Sequence, residues 1–465
     1  MRVRANSRWL IWFLLGLGSQ LQIIASLSMT ELALFIMAPV LLFSELPYMR
    51  RNGIMPLFWF AVWMVIGCIV SSLYNHSPFP KVLRGLAATT LLPCSVVVMH
   101  SMLRKDMKGY GWYLLGGCIS FFLCTFFFQH SFEVESLAGG ARGAAAVEDI
   151  VSGPIYWVTR LGSLASVWPR GWYLSCPTAY CVVVPVGMAL FSVLTTSSGR
   201  GVALSNLAGV CLVLIGRKKI RSMKLLAKNF WIFCICGVVG LLIVNRVYKY
   251  AALNGLMGEK ARDKYIKQTT RGTDVVSLII GGRADAIAGL VACLDHPIVG
   301  YGPWPVDNGG YMATFLKKYG SVEDYEDYLA SEQLRIQMGC ERLMPGHSHI
   351  FGSWLTYGLP GCLFWIYVLF VTVRFVRQDC WVVPQYFFWL VASVPGTLWN
   401  IFFSPMSDRI MPSFLCVAML MVRAVRKGRQ QLPPSMEMEI FLNERSRLVE
   451  GYNAKTFIER SDCQF

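Results

Sequence analysis

The sequence predicts an all-α polytopic membrane protein with about twelve transmembrane helices and one large loop outside the membrane. Three observations favour this fold class. The chain has 465 residues, 55% of them hydrophobic and only 15% charged, whereas an average soluble chain carries about 25% charge. Its mean hydropathy is +0.48. The apolar residues come in runs of roughly 18 to 25, which is the length that crosses about 30 Å of hydrocarbon at 1.5 Å per residue.

Eleven apolar runs are clear candidates for membrane spans. The first follows the basic segment MRVRANSR without a small-residue cleavage pattern, so we expect a retained start-transfer helix. Most of the fifteen cysteines lie inside the runs, where they serve as small hydrophobic residues. The predicted spans are 9–27, 29–47, 54–74, 82–103, 110–129, 172–195, 201–216, 229–247, 350–373, 381–403 and 407–424.

Positive charges indicate the orientation of the chain and a twelfth, weaker span. Lysine and arginine are enriched in cytoplasmic loops. With a cytoplasmic N-terminus, the basic residues before the first span and after the second and fourth spans all face the cytoplasm. The segment 217–228 carries six positive charges and no acid. It faces the same side only if the chain crosses once more, and the segment 150–168 is the candidate. We therefore expect both termini in the cytoplasm.

This topology divides the chain into four parts. Residues 1–247 hold about nine transmembrane helices, residues 248–346 form a large outer loop, residues 347–424 hold three more helices, and residues 425–465 form a cytoplasmic tail. The loop is nearly neutral, with eleven basic and twelve acidic residues. The net charge of +16 then reflects topology and an affinity for the anionic inner leaflet of the bilayer. The sequence holds no nucleic-acid motif, so we expect no nucleic-acid partner.

Two arginines fall on the predicted outer side. Arg200 lies in SSGRG between two spans, and Arg283 follows two glycines just before a predicted amphipathic helix at 284–294. A guanidinium group donates paired hydrogen bonds to phosphate oxygens, so both are candidates for holding a diphosphate. Each has a structural alternative: Arg200 can anchor at the membrane interface, and Arg283 can pair with an acidic residue of the loop such as Asp285.

Two histidines, His347 and His349, stand at the start of the run 350–373. An imidazole accepts a proton at neutral pH, so a general base or a hydrogen-bonding group is one interpretation, and an ordinary interfacial polar residue is another. A zinc pair is disfavoured because residues two apart on a helix point in different directions and no cysteine or carboxylate cluster stands nearby. The segment GLPG at 358–361 predicts a kink in this helix.

Aromatic residues follow the predicted loop helix. The segment DHP at 295–297 should end that helix, with His296 as a cap, and an aromatic turn comes next. Tyr301, Trp304 and Tyr311 are candidates for stacking on sugars. Arg84 falls near the same face.

Cys293 and Cys340 share the loop, but their spacing does not decide whether they form a disulfide.

Three of these motifs together resemble the O-antigen ligase and O-antigen polymerase superfamily of bacterial inner-membrane glycosyltransferases. The segment HSHIFGSWLTYGLPG at 347–361 is similar to that family's His, then Asn, Ser or Gln, then nine residues, then Gly-x-x-Gly. The segment SGRG at 198–201 is similar to its Ser-Arg-Gly, with one extra glycine. The segment GRADAIAGLVACLDHPIVGYG at 282–302 is similar to its Gly-Arg, helix, His-Pro-x-x-Gly-x-Gly. The resemblance covers roughly the C-terminal half. It departs where Ala-Asp-Ala-Ile replaces a frequent tryptophan.

The resemblance implies a glycosyltransferase-C-like helical fold with a periplasmic site. It implies a polyprenyl-diphosphate-linked glycan donor, inversion at the anomeric carbon, and neither a metal nor another cofactor. Arg200 and Arg283 would bind the diphosphate, and His347 would act on the acceptor hydroxyl. The remaining expected substrate-binding residues, from the motifs and from the placement of loop residues, are Ser348, Tyr301, Trp304 and Arg84.

The motifs leave the acceptor open, which can be a glycan, a lipid or a protein. Chain size and the single large loop favour a ligase, and a polymerase that adds repeat units is the alternative within the family. A polysaccharide or lipid transporter is the alternative from another class, since intramembrane arginines also mark substrate paths. Transporters, however, tend to show interrupted helices in two related halves, and the halves of this chain are unlike.

Overall fold

The structure is a computed structural model that describes twelve helices and a two-stranded hairpin. The described residues, which are mostly helical, are 8–19, 21–24, 27–106, 109–127, 246, 249–255, 262, 265–266, 284–319, 322–337, 343–344, 346, 348–376, 387–403 and 411–430. The elements are α1 (Arg8–Leu17), β1 (Gln22–Ile24), β2 (Leu27–Ser28), α2 (Met29–Asn52), α3 (Met55–Tyr74), α4 (Phe79–Lys105), α5 (Tyr110–Phe127), α6 (Ala284–Asp295), α7 (Tyr311–Tyr319), α8 (Val322–Gln337), α9 (His349–Tyr357), α10 (Leu359–Arg374), α11 (Phe387–Phe403) and α12 (Met411–Gln430).

Three helices among the described residues, α2, α3 and α4, are long and apolar enough to cross a membrane by length and composition. They agree with the prediction of a helical membrane protein. The predicted spans between 130 and 244 and the tail from residue 431 lie outside the described residues. The predicted runs 54–74, 82–103 and 110–129 correspond closely to α3, α4 and α5.

The first predicted span is wrong in its second half. Helix α1 ends at Leu17, and β1 then pairs with β2 in an antiparallel hairpin, with Gln22 opposite Ser28. Ten helical residues rise only about 15 Å, half the hydrocarbon thickness. Helix α2 nevertheless begins at Met29, where the predicted run 29–47 begins. Ser28 accepts a hydrogen bond from the Glu31 amide, and the Glu31 carboxylate accepts one from the Ser28 amide at 2.6 Å, a capping box that begins α2.

The hydrophobic core lies between α2, α3, α4, α10 and α12. Close approach of the helices depends on glycine in two places. In α3, a Cβ on Gly67 would lie 2.6 Å from the carbonyl oxygen of Tyr357. In α5, a Cβ on Gly116 would collide with the backbone of α1. Such small residues let backbones pack closely where lipid supplies no hydrophobic drive.

A buried ionic cluster joins α2 to α4 at the end of the helices that carries the basic residues. The Glu45 side chain, only 1% exposed, accepts from Arg104 Nη2 at 2.7 Å and Nε at 3.2 Å. His100 Nδ1 lies 3.1 Å from the same carboxylate, and its Nε2 lies 3.0 Å from Asn52 Nδ2. Because the amide nitrogen is a donor, Nε2 must accept, so Nδ1 carries the proton and donates to Glu45. These bonds compensate the burial of the carboxylate.

We expect Arg104→Ala to lower the melting temperature of the purified protein clearly. The change leaves the Glu45 carboxylate buried with one neutral partner, and removing one member of a buried pair costs about 3 to 5 kcal/mol. We expect a cost at the lower end of this range because the Arg104 side chain is 29% exposed. Thermal unfolding in detergent measures the effect. Lys105→Ala, at the exposed neighbouring position, is the matched control, and equal melting temperatures for both variants would contradict the prediction.

The predicted run 350–373 is divided into two helices, as the segment GLPG indicated. Helix α9 ends at Tyr357, and α10 begins at Leu359. Gly358, between them, has φ +69° and ψ −156°, a conformation open essentially to glycine alone. Pro360 follows in the first turn of α10, where its missing amide proton costs nothing. The two remaining predicted runs correspond to α11 and α12, with shifted ends.

Candidate functional site

Two of the three motifs that point to function contact each other directly. Helix α6 ends at Asp295, as predicted, and the chain folds back onto the break between α9 and α10. The Tyr301 amide donates to the Leu355 carbonyl at 2.7 Å, and the Leu359 amide donates to the Ile298 carbonyl at 2.9 Å. Trp354 Nε1 donates to the Pro297 carbonyl at 2.6 Å. We call this contact between residues 296–304 and 348–361 the motif junction.

Glycines make the motif junction possible. Gly300, Gly302 and Gly358 have φ values of +72°, +83° and +69°, a region that side-chain-bearing residues rarely adopt. There is also no space for a side chain. A Cβ on Gly300 would lie 2.7 Å from the Gly358 amide nitrogen, and a Cβ on Gly358 would collide with the carbonyl of Ile298. Gly300 of one motif therefore packs against Gly358 of the other, and Gly302 lies against Ser77 instead.

The turn of the motif junction also rests on α3 and α4. Asn75 Nδ2, just after α3, donates to the Gly300 carbonyl at 3.0 Å. A Cβ on Gly85 of α4 would lie 2.6 Å from Pro303 Cβ, so this glycine makes room for the turn. The guanidinium carbon of Arg84 lies 4.5 Å from the centroid of the Trp304 ring. The ring restricts an exposed arginine whose N–H groups can still donate to an anion.

Ser348 and His349 are both buried, Ser348 as a helix cap and His349 among aromatic side chains. The Ser348 hydroxyl donates to the Ile401 carbonyl at 2.9 Å and accepts from the Phe351 amide at 3.2 Å. It therefore caps α9 and ties that helix to α11. The His349 ring is 0% exposed and lies 4.7 Å from the Trp365 ring, in the core. A zinc pair with His347 is not tested by this geometry, because His347 lies outside the described residues.

A hydrogen-bonded chain of side chains joins this turn to α6 and α7. Tyr311 OH donates to Asp295 Oδ2 at 2.5 Å, and Tyr301 OH lies 2.7 Å from Tyr311 OH. The His296 ring meets the Tyr301 ring edge to face at 4.5 Å between centroids. Partial burial raises the pKa of Tyr301 and of Tyr311, and for Tyr311 the hydrogen bond to the Asp295 carboxylate raises the pKa further. Sequence reasoning assigned Asp295 only to the end of a helix and missed this contact.

Cys293 is a buried free thiol in the described structure. Its Sγ donates to the Phe351 carbonyl at 3.4 Å, which adds a contact between α6 and α9. Burial raises the pKa of this thiol to about 12. Cys340, the other cysteine of the loop, lies outside the described residues.

The three residues expected to carry the chemistry, Arg200, Arg283 and His347, also lie outside the described residues. In the sequence, Arg283 directly precedes α6, and His347 directly precedes the Ser348 cap of α9. Among the expected substrate-binding residues, Tyr301, Trp304 and Arg84 gather around one turn. Ser348 lies at the start of α9.

Neither protein-family models, nor curated proteins, nor solved structures gave a match to this chain. Functional interpretation therefore depends on the motifs and on the geometry of the motif junction.

Proposed function

We propose that this protein is an O-antigen ligase-like membrane glycosyltransferase. It transfers a glycan from a polyprenyl-diphosphate donor to an acceptor hydroxyl on the periplasmic face of a bacterial inner membrane. The observation that supports the proposal most is the motif junction. Two motifs that are distant in the sequence, and that resemble separate signatures of one enzyme family, are joined by three hydrogen bonds and by glycine packing. A shared site would require such a contact.

The polarity of the helices supports a periplasmic position for this site. Helix α3 runs from a basic end, near Arg50 and Arg51, to Asn75 at the motif junction, and α4 returns from Arg84 to Arg104 at the basic end. Because basic residues favour the cytoplasmic side, this arrangement supports a junction at the periplasmic end. The proposal keeps the twelve-span topology, with the loop 248–346 in the periplasm and both termini in the cytoplasm.

The donor diphosphate lies against arginine side chains in this mechanism. Arg84 is oriented by the Trp304 ring at the turn, and Arg200 and Arg283 complete the phosphate-binding group. Negative charge grows on the diphosphate as the bond between the anomeric carbon and the phosphate oxygen breaks. Charge-assisted hydrogen bonds from guanidinium groups stabilise that charge. The arginines thereby perform the task that a divalent cation performs in other glycosyltransferases.

His347 acts on the acceptor in this mechanism. The acceptor oxygen attacks the anomeric carbon from the face opposite the diphosphate, so the configuration is inverted. The imidazole accepts the hydroxyl proton, or orients the hydroxyl by a hydrogen bond, as the new bond forms. Ser348 fixes the position at which α9 begins, directly after His347. The polyprenyl diphosphate leaves with the electrons of the broken bond.

Purified protein tests this function with a polyprenyl-diphosphate glycan, candidate acceptors and a chelator. We expect wild-type protein to transfer the glycan with the chelator present, and Arg283→Ala to lose about 10²-fold or more in turnover, as removal of an oxyanion-stabilising donor does. Lys317→Ala removes an exposed loop cation on α7 and serves as the matched control. If Arg283→Ala turns over as fast as the wild type, Arg283 takes no part in the mechanism.

The products of the same assay distinguish the alternatives. A single addition to an acceptor supports a ligase, and a ladder of products supports a polymerase of the same family. If folded wild-type protein transfers nothing with any donor and acceptor, the transferase proposal fails. Transport of the same lipid-linked glycan across vesicles would then be measured.

A further inference from the structure

We propose that Asp295, Tyr301 and Tyr311 form a subsite for an uncharged sugar unit of the donor glycan. The three side chains share the turn with the Arg84–Trp304 contact. Tyr301 and Trp304 are three residues apart, and the backbone between them spans at most about 11 Å. For a glycan whose diphosphate contacts Arg84, the proposal places the first sugars at the Tyr301 hydroxyl.

The direction of the hydrogen bonds in this subsite follows from the chemistry of its members. Asp295 Oδ2 accepts at 2.5 Å, so the Tyr311 proton points to Asp295. The Tyr311 oxygen must then accept from Tyr301 OH at 2.7 Å. The Tyr301 oxygen keeps lone pairs as acceptors, and Asp295 keeps its second carboxylate oxygen. The subsite therefore presents acceptors, which suit the hydroxyl donors of a sugar.

The charge of the subsite indicates which sugars it takes. Asp295 contributes a carboxylate next to two phenols. A carboxylate or phosphate on the ligand would meet like charge, which disfavours binding. A neutral sugar can donate hydroxyl protons to the same oxygens and place a ring against tyrosine. Arg84 thus supplies a cation for the diphosphate, and Asp295 supplies an anion that excludes acidic sugars.

Three separate elements hold the subsite rigid before any ligand arrives. Asp295 is the last residue of α6, and Tyr311 is the first residue of α7. The Tyr311 amide donates to Asp307 Oδ1 at 2.9 Å, which caps α7. Tyr301 is held by its amide on the Leu355 carbonyl at 2.7 Å. Groups ordered in advance bind a sugar without a further entropic cost.

Sugar binding can be measured apart from transfer. Full-length protein in nanodiscs, free of glycoside detergents, is studied by saturation-transfer difference NMR with glucose, galactose, N-acetylglucosamine and glucuronic acid. We expect a neutral sugar to give a signal that falls about fivefold to tenfold in Tyr311→Phe, because the Tyr311 hydroxyl holds Asp295 and Tyr301 in place without itself contacting the sugar. Tyr319→Phe, on the exposed end of α7, should keep the signal. Asp295→Asn keeps an acceptor for Tyr311 and should admit glucuronic acid.

Three results would overturn the subsite: no neutral sugar gives a signal, Tyr311→Phe binds as the wild type does, or glucuronic acid binds wild-type protein as well as glucose. The assignment to the donor glycan rests on the proposed transferase function, and the transfer assay separates the two. If the protein binds a sugar but transfers no glycan, the subsite is supported and the transferase proposal fails. With transfer, Tyr311→Phe should raise KM for the donor about fivefold to tenfold and leave kcat nearly unchanged. If KM for the donor is unchanged in Tyr311→Phe, the subsite does not bind the donor glycan.

Discussion

Gly358→Ala is expected to release the loop from the helix break and to reduce glycosyl transfer below detection. The residue has φ +69° and ψ −156°, and forcing a side chain into such a region costs about 1 to 3 kcal/mol. A Cβ would also collide with the Ile298 carbonyl, which accepts the Leu359 amide. The motif junction cannot close around it. Thermal unfolding and the transfer assay, on purified protein, measure both effects.

A matched glycine separates this effect from substitution in general. A Cβ on Gly111, in α5, would meet no neighbouring atom within 4 Å, and alanine favours a helix over glycine by about 1 kcal/mol. Gly111→Ala should therefore melt no lower than the wild type. Gly300→Ala disturbs the same contact as Gly358→Ala from the opposite side, so the double variant should lose less stability than the sum of the two. Full activity in Gly358→Ala would show that transfer does not need the motif junction.

His347→Ala is expected to lower the rate of transfer by about 10² to 10⁴-fold, the usual contribution of a general base. Transfer is followed by gel shift with a chelator present. The pH profile then distinguishes two roles. If the imidazole accepts the acceptor proton, the wild-type rate falls below about pH 6.5, the ordinary pKa of histidine, and the variant keeps a flat profile. If the imidazole only donates a hydrogen bond to the acceptor oxygen, both profiles stay flat, because protonation keeps the N–H donor.

A second histidine provides the control. His76 is exposed and has φ +49°, and asparagine tolerates that conformation. His76→Asn should therefore transfer as the wild type does. If His347→Ala and His76→Asn transfer equally well, the transferase proposal is kept, but His347 takes no part in the mechanism.

Hydropathy predicted most of the described helices because burial in an apolar environment depends mainly on composition over a long window. It predicted α3, α4 and α5 to within a few residues and indicated the break at Gly358 from the local residues. It was wrong at 9–27, where the chain turns through a hairpin. The capping box of Ser28 and Glu31 begins α2 at Met29, the predicted start of the second run, and hydropathy gives no signal for the hairpin before it.

The candidate site was predicted in its residue types and not in its contacts. Local patterns singled out Tyr301, Trp304 and Tyr311 as aromatic residues of a turn, and Arg84 as a nearby cation. Nothing in their spacing showed that Arg84 lies against Trp304, because that contact joins residues far apart in the chain. Asp295 was read as the end of a helix, and only the fold shows that Tyr311 donates to it.

The sequence by itself determined the helical, membrane-type character of this protein, the break at Gly358 and the motifs on which the proposed chemistry depends. These are local properties: hydropathy, glycine conformation and residue identity. Only the tertiary structure decided that Gly300 packs against Gly358, that Ser348 is used as a cap, and that Asp295 accepts from Tyr311. The reason is physical. Whether two distant segments meet depends on close packing and hydrogen bonding across the whole core, and no local pattern encodes that contact.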